Sequence, residues 1–144
     1  MTWDLALATF QAFREEHFDR LCRQLGLSSA PFRVGEGFAV VSAAAGNVRV
    51  FFEHDRGLCD FRLGALTDAT SLFSVEELAQ HPRFPRVRLT SDGFQRLTLD
   101  EQRSFVEGHW SELQTMFSPD HLVETREWYA AVCKTLTELY SRGS

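Results

Sequence analysis

The chain is expected to fold as an α+β domain. The expected order is an N-terminal helix, a three- to four-stranded antiparallel meander, a short helix, and a C-terminal antiparallel helix pair packed on the sheet. Three observations predict this. Apolar residues recur at three- and four-residue spacing over 2–25 and again over 98–139. Between these stretches, 38–63 alternates apolar with polar and is broken at Gly- and Asn-bearing turns. The length of 144 residues suits one domain with a self-sufficient core, and no repeat, low-complexity stretch or linker divides it.

The first helix is expected over Thr2 to Leu25, with Thr2 as its cap and Gly26 as its stop. Trp3, Leu7, Phe10, Phe13 or Arg14, His17, Phe18, Leu21 and Leu25 form its inner stripe. The strands follow: Phe38–Ser42, Asn47–His54 and Leu58–Leu63, with Phe32–Val34 as a short leading strand. Their turns are Gly35-Glu36-Gly37, Ala45-Gly46-Asn47 and Asp55-Arg56-Gly57, which suits a meander. Ser74 to His81 has the spacing of a short helix, with Ser74 and Glu77 as a capping box and Pro82 as terminator. Thr98 and Glu101 form a second such box ahead of Leu99, Val106, Trp110, Leu113 and Phe117. Ser118-Pro119-Asp120 opens the last helix, with Pro in the first turn and Leu122, Thr125, Tyr129, Val132, Leu136 and Leu139 facing inward; Gly143 follows its end.

Alternation also predicts the register. Val48, Val50, Phe52 and His54 share one face with Cys59, Phe61 and Leu63, and this face turns to the core. The other face carries Arg49, Phe51, Glu53, Asp60 and Arg62.

Composition excludes several classes. Cys22, Cys59 and Cys133 are odd in number and widely spaced, which is not a disulfide framework. No apolar run reaches the ~20 residues that span a bilayer, and no secretory leader pattern opens the chain, so a cytoplasmic location is expected. A net charge of −5 disfavours nucleic acid as a partner and suits a basic protein.

No motif for catalysis emerges. The five histidines show no i, i+4 pair, and GxSxG, GxGxxG and Walker patterns are absent. His54, Asp55, Cys59 and Asp60 are the densest set of ligand-type side chains, but Asp60 faces away from Cys59, so a strand end is the better reading than a metal site. Neither a cofactor nor a catalytic residue is assigned. An enzymatic or ligand-binding alternative would place a pocket between sheet and helices, lined by His17, His54 or His109. Arg83–Arg96 is locally basic and is expected to pair with the acidic helices, since Asp100–Glu138 holds eight carboxylates.

The outer face of the hairpin is the feature that packing does not explain. The register sets Glu53 opposite Asp60, and like charges across strands repel. Arg49 and Arg62 stand near enough to relieve them, Phe51 borders them, and Asp55 lies at the turn. Arg49, Phe51, Glu53, Asp55, Asp60 and Arg62 are therefore the candidate partner-binding residues.

Val48-Arg-Val-Phe-Phe-Glu-His-Asp-Arg-Gly-Leu-Cys-Asp-Phe-Arg-Leu-Gly64, followed by Phe73-Ser-Val-Glu-Glu-Leu78, resembles a run in immunity proteins of bacterial polymorphic-toxin and contact-dependent inhibition systems. The similarity spans about 30 of the 144 residues, mostly the hairpin. It implies a non-enzymatic protein that neutralises a toxin by covering its active surface, and it carries over no family functional residue. An adaptor subunit of a bacterial defence or secretion complex is the other binding-type expectation. Oligomeric state is not fixed by the sequence.

Overall fold

A computed structural model describes residues 3–35, 37–55, 58–81, 84, 89–90, 93–94 and 97–142. Helices α1 (Trp3–Phe13) and α2 (Asp19–Leu25) are joined through a π-helical turn, Arg14–Phe18. Strands β1 (Ser28–Ser29), β2 (Arg33–Gly35), β3 (Phe38–Ala45), β4 (Val48–Asp55), β5 (Leu58–Ala65) and β6 (Asp68–Ser74) follow. A one-turn helix α3 (Val75–Leu78) and a small ladder of β7 (Leu89–Thr90) with β8 (Gly93–Phe94) lead to α4 (Leu99–Gly108), α5 (Trp110–Met116) and α6 (Leu122–Arg142). The architecture is the expected α+β one, with a wider sheet: β1 and β2 both pair with β3, then β4, β5 and β6 follow, all antiparallel.

The register is the one that alternation predicts. Val50 faces Leu63, Phe52 faces Phe61, and His54 faces Cys59. Ala39, Val41 and Ala43 of β3 continue this inner face, which is buried apart from half-buried Cys59. Phe52 is its centre. Its ring packs against Phe61 at 5.0 Å, Phe10 at 5.4 Å and Phe18 at 6.4 Å between centroids, so helix, hairpin and core share one aromatic cluster. Val106, Leu113 and Phe117 of the later helices close the same core, and Phe117 meets Phe73 of β6 edge-on.

The sheet margins are sealed by side chains. Ahead of Arg62 no described strand pairs with the outer edge of β5, and the Phe61 N–H donates to Gln102 Oε1 of α4 at 2.9 Å. Gln102 Nε2 donates to Leu97 O and to Glu76 Oε1, and Leu97 N–H donates to Glu76 Oε2. At the far margin, Ser74 N–H donates to Tyr129 Oη, and Asp68 pairs with Arg126. Both ends of β6 are thus tied to α6. The β3–β4 turn is clamped in the same way. Asn47 N–H donates to Gln114 Oε1 at 2.7 Å, and Gln114 Nε2 donates to Ala45 O at 2.9 Å. Gly46 adopts φ +60°, and a Cβ there would lie 2.3 Å from Gln114 Oε1.

Several expectations are corrected. The first helix is not a uniform α-helix: Asp19 N–H bonds Arg14 O across a π turn, which brings neighbouring His17 and Phe18 both inward. The uncertain phase at Phe13 or Arg14 marked this insertion. Strand β6 was not anticipated, because its polar sequence lacks an apolar alternation and a bulge at Gly64/Ala65 interrupts its pairing. The Ser74–Glu77 capping box does not form. Glu77 instead accepts from Cys133 Sγ and Tyr129 Oη of α6. The Thr98–Glu101 box is present with both of its hydrogen bonds. The helix after it breaks at His109, so the expected pair is three helices, and Pro119 lies in a turn ahead of α6. Thr2, Glu36, Arg56, Gly57, Pro82, Gly143 and most of Arg83–Arg96 lie outside the described residues, as does the Leu139 side chain.

Two substitutions test these seals. Gly46→Ala is expected to lower the melting temperature, with about 1–2 kcal/mol from the left-handed backbone alone. Gln102→Leu, which strands the Phe61 N–H, is expected to cost about 1–3 kcal/mol in urea unfolding and to speed amide exchange at Phe61.

Candidate functional site

The outer face of β3, β4 and β5 presents four cross-strand rows. They are Phe38–Asp55–Leu58, Val40–Glu53–Asp60, Ser42–Phe51–Arg62 and Ala44–Arg49–Gly64. Apart from buried Gly64, every residue in these rows is half-buried or exposed, and none belongs to the hydrophobic core. The four inner-face residues of β4 are buried, while Arg49, Phe51 and Glu53 are half-buried and Asp55 is exposed. One strand thus supplies core on one side and an open surface on the other.

All six candidate partner-binding residues fall on this face. Glu53 stands directly opposite Asp60, as the alternation requires. Arg62, one row away, reaches diagonally to Glu53, with Nε 2.6 Å from Oε1. Arg49 does not join this pair. Among the described residues neither Arg49 nor Asp55 has an ion-pair partner within 4 Å. Arg49 stands between Ala44 and Gly64, on a floor of small residues. The face is therefore polarised along β4: a cation, an aromatic ring, a bridged carboxylate and a second carboxylate, spaced about 7 Å apart.

The local charges are held against a folding cost. Burial is the largest influence on Glu53 and pushes its carboxyl above the usual range, with Asp60 and Asp55 adding to the rise and Arg62 opposing it. Arg62 moves up in the net, because the pull of Glu53 and Asp60 outweighs its own burial. Arg62 pairs with Glu53 and also feels the charge of Asp60. Its charge is favoured, while that of Glu53 is not fully compensated.

Sequence reasoning named the hairpin residues but not Phe38, Val40 or Leu58, which extend the same face. Phe38 and Leu58 are among the large apolar side chains most open to water. The signal lay in the alternation of β3, whose outward set follows from the β3–β4 register.

The histidines do not converge. His54 packs on Trp3 at the start of α1, and His17 packs on Phe13 fourteen positions along, about 20 Å of helix away. His109 lies between Phe84 and Phe105, and His81 lies on Trp128 and on the same Phe84 ring, so these two share an aromatic neighbour apart from His17 and His54. Among the described residues no three His, Cys, Asp or Glu side chains are grouped to hold a metal ion. The Cys22 and Cys59 thiols are each pushed up to about 11, chiefly by burial. Such thiols stay protonated and are poor nucleophiles near neutral pH. No helix among the described residues is long and apolar enough to cross a membrane. Comparison with models of known protein families, with curated proteins and with solved structures finds no match.

The Glu53 shift has a testable sign. A carboxyl raised by folding binds its proton more tightly in the native state, so it lowers stability as pH rises through its folded value. Thermal melts between about pH 4 and pH 7 should therefore show Glu53→Gln gaining on the parent chain as pH rises, with a melting temperature at neutral pH equal to the parent's or higher.

Proposed function

We propose that this chain is a protein-recognition domain of the immunity type, which neutralises a cognate toxin by covering its active surface with the outer face of β3–β5. The observation that carries this reading is the Glu53–Asp60 pair. Two carboxylates face each other on the outer side of the sheet, Arg62 pairs with Glu53, and burial together with the facing charges pushes the Glu53 carboxyl up. Charge kept at a cost to stability is accounted for when it serves an interaction. A cation brought by a partner would relieve the facing carboxylates, so binding would gain what folding forgoes.

The setting supports the same reading. The face is backed by the Phe52 cluster, so its side chains stand on a rigid floor and lose little freedom on association. Phe51 sits at its centre with charged residues around it, the usual make-up of a protein contact anchored by an aromatic ring. The net charge of −5 favours fast encounter with a basic surface. The resemblance of 48–64 to immunity proteins covers two of these strands, β4 and β5.

A photo-crosslinking amino acid placed at Phe51 in the native cell tests this. It is expected to join the chain to one other protein of net positive charge, while the same group at exposed Val123 on α6 does not. Asp60→Lys is expected to remove the adduct and leave the melting temperature within a few degrees of the parent's. Produced alone, the captured protein should arrest growth, and the parent chain should relieve the arrest where Asp60→Lys does not. A lack of any adduct with another protein at position 51 would count against the reading.

A further inference from the structure

The outer face also complements itself. Bulk lies at one end and is missing at the other. Phe38 and Leu58 flank Asp55 in the first row, with 42% and 57% of their surface exposed, while Ala44 and Gly64 flank Arg49 in the last. Charge runs the same way, from Asp55 to Arg49, neither of which has an ion-pair partner among the described residues.

Consider a twofold axis parallel to the sheet that crosses β4 between Phe51 and Glu53. It exchanges the first row with the last and the second with the third. Two copies placed face to face about this axis set Arg49 of each over Asp55 of the other. Phe38 then meets Ala44, Leu58 meets Gly64, and Arg62 meets Asp60. Other alignments fit less well. An axis through the Phe51 row puts Arg62 on Arg62 and leaves Phe38 and Leu58 uncovered. An axis along β4 puts each charge on its own copy.

We propose that this face pairs with a second copy of the chain in a weak twofold dimer, with the two β4 strands antiparallel and two symmetry-related Arg49–Asp55 contacts. A twofold contact is isologous, so one complementary pair is used twice. Three strands by four rows give a footprint on the order of 400 Å² per copy. That is below the usual size of a stable interface and fits a weak, transient one. The inference goes beyond recognition of another protein and does not depend on it.

Sedimentation velocity of the full chain from about 1 to about 500 μM tests it directly. A monomer–dimer equilibrium that weakens in high salt is expected. Arg49→Asp and Asp55→Arg should each weaken the dimer by about tenfold or more, because each sets like charges together twice. The double variant should recover most of the loss, since exchanging the two residues restores opposite charges at both contacts. Leu58→Glu, at the exposed start of β5, should weaken the dimer as well and does not rely on a half-buried position. A chain that stays monomeric throughout, single variants that dimerise like the parent, or a double variant no better than the singles would each overturn the proposal. A monomer that still crosslinks another protein through position 51 overturns self-pairing alone. A dimer with no such adduct sustains self-pairing and removes the other reading.

Discussion

The packing of rings on Phe52 is the contact on which the rest of the molecule depends. It joins Phe10 of α1, Phe18 of the π turn and Phe61 of β5, so the N-terminal helix and the central hairpin are fixed by one side chain. Because residues alternate across a strand, committing Phe52 inward commits Phe51 and Glu53 outward. A slip of one residue would bury Arg49 and Glu53 in the aromatic cluster and is excluded by the cost of burying charge. The composition of the open face is thus as firmly fixed as the core, although its own side chains contribute little to the fixing.

Much of this was legible from the residues alone. The Asn47–His54 and Leu58–Leu63 alternation carried the register and with it the Glu53–Asp60 opposition. The Thr98–Glu101 box was legible because it is purely local. What escaped notice depends on distant chain. Ser74 and Glu77 have the spacing of a cap, but Tyr129 and Cys133, more than fifty residues later, engage Glu77. Strand β6 has little alternation of its own and is held in place by β5 and by α6 at its margin. The π turn showed only as an ambiguity of phase at Phe13 and Arg14.

The six hairpin residues share one face as their alternation requires, but the internal division of that face is not legible in the sequence. Arg49 and Arg62 look alike in sequence, two positions on strands that carry facing carboxylates. In the fold Arg62 is drawn into the Glu53 pair, while Arg49, two rows from Asp60 and flanked by Ala44 and Gly64, has no ion-pair partner among the described residues. That difference turns an acidic patch into a polarised one. It arises from which diagonal a guanidinium can span, which residue type alone does not encode.

The sealed margins of the sheet bear on what kind of assembly is open to it. Unpaired strand edges invite further strands, and growth by that route has no natural end. Here Gln102 occupies the bare stretch of β5, and Tyr129 and Arg126 hold β6. Pro31, which has no N–H to donate, interrupts the border formed by the two- and three-residue strands β1 and β2. With the rim obstructed, association is steered to the broad surface, where one occupant, whatever its identity, uses up the site. The geometry therefore favours complexes that close at two chains over fibres that extend.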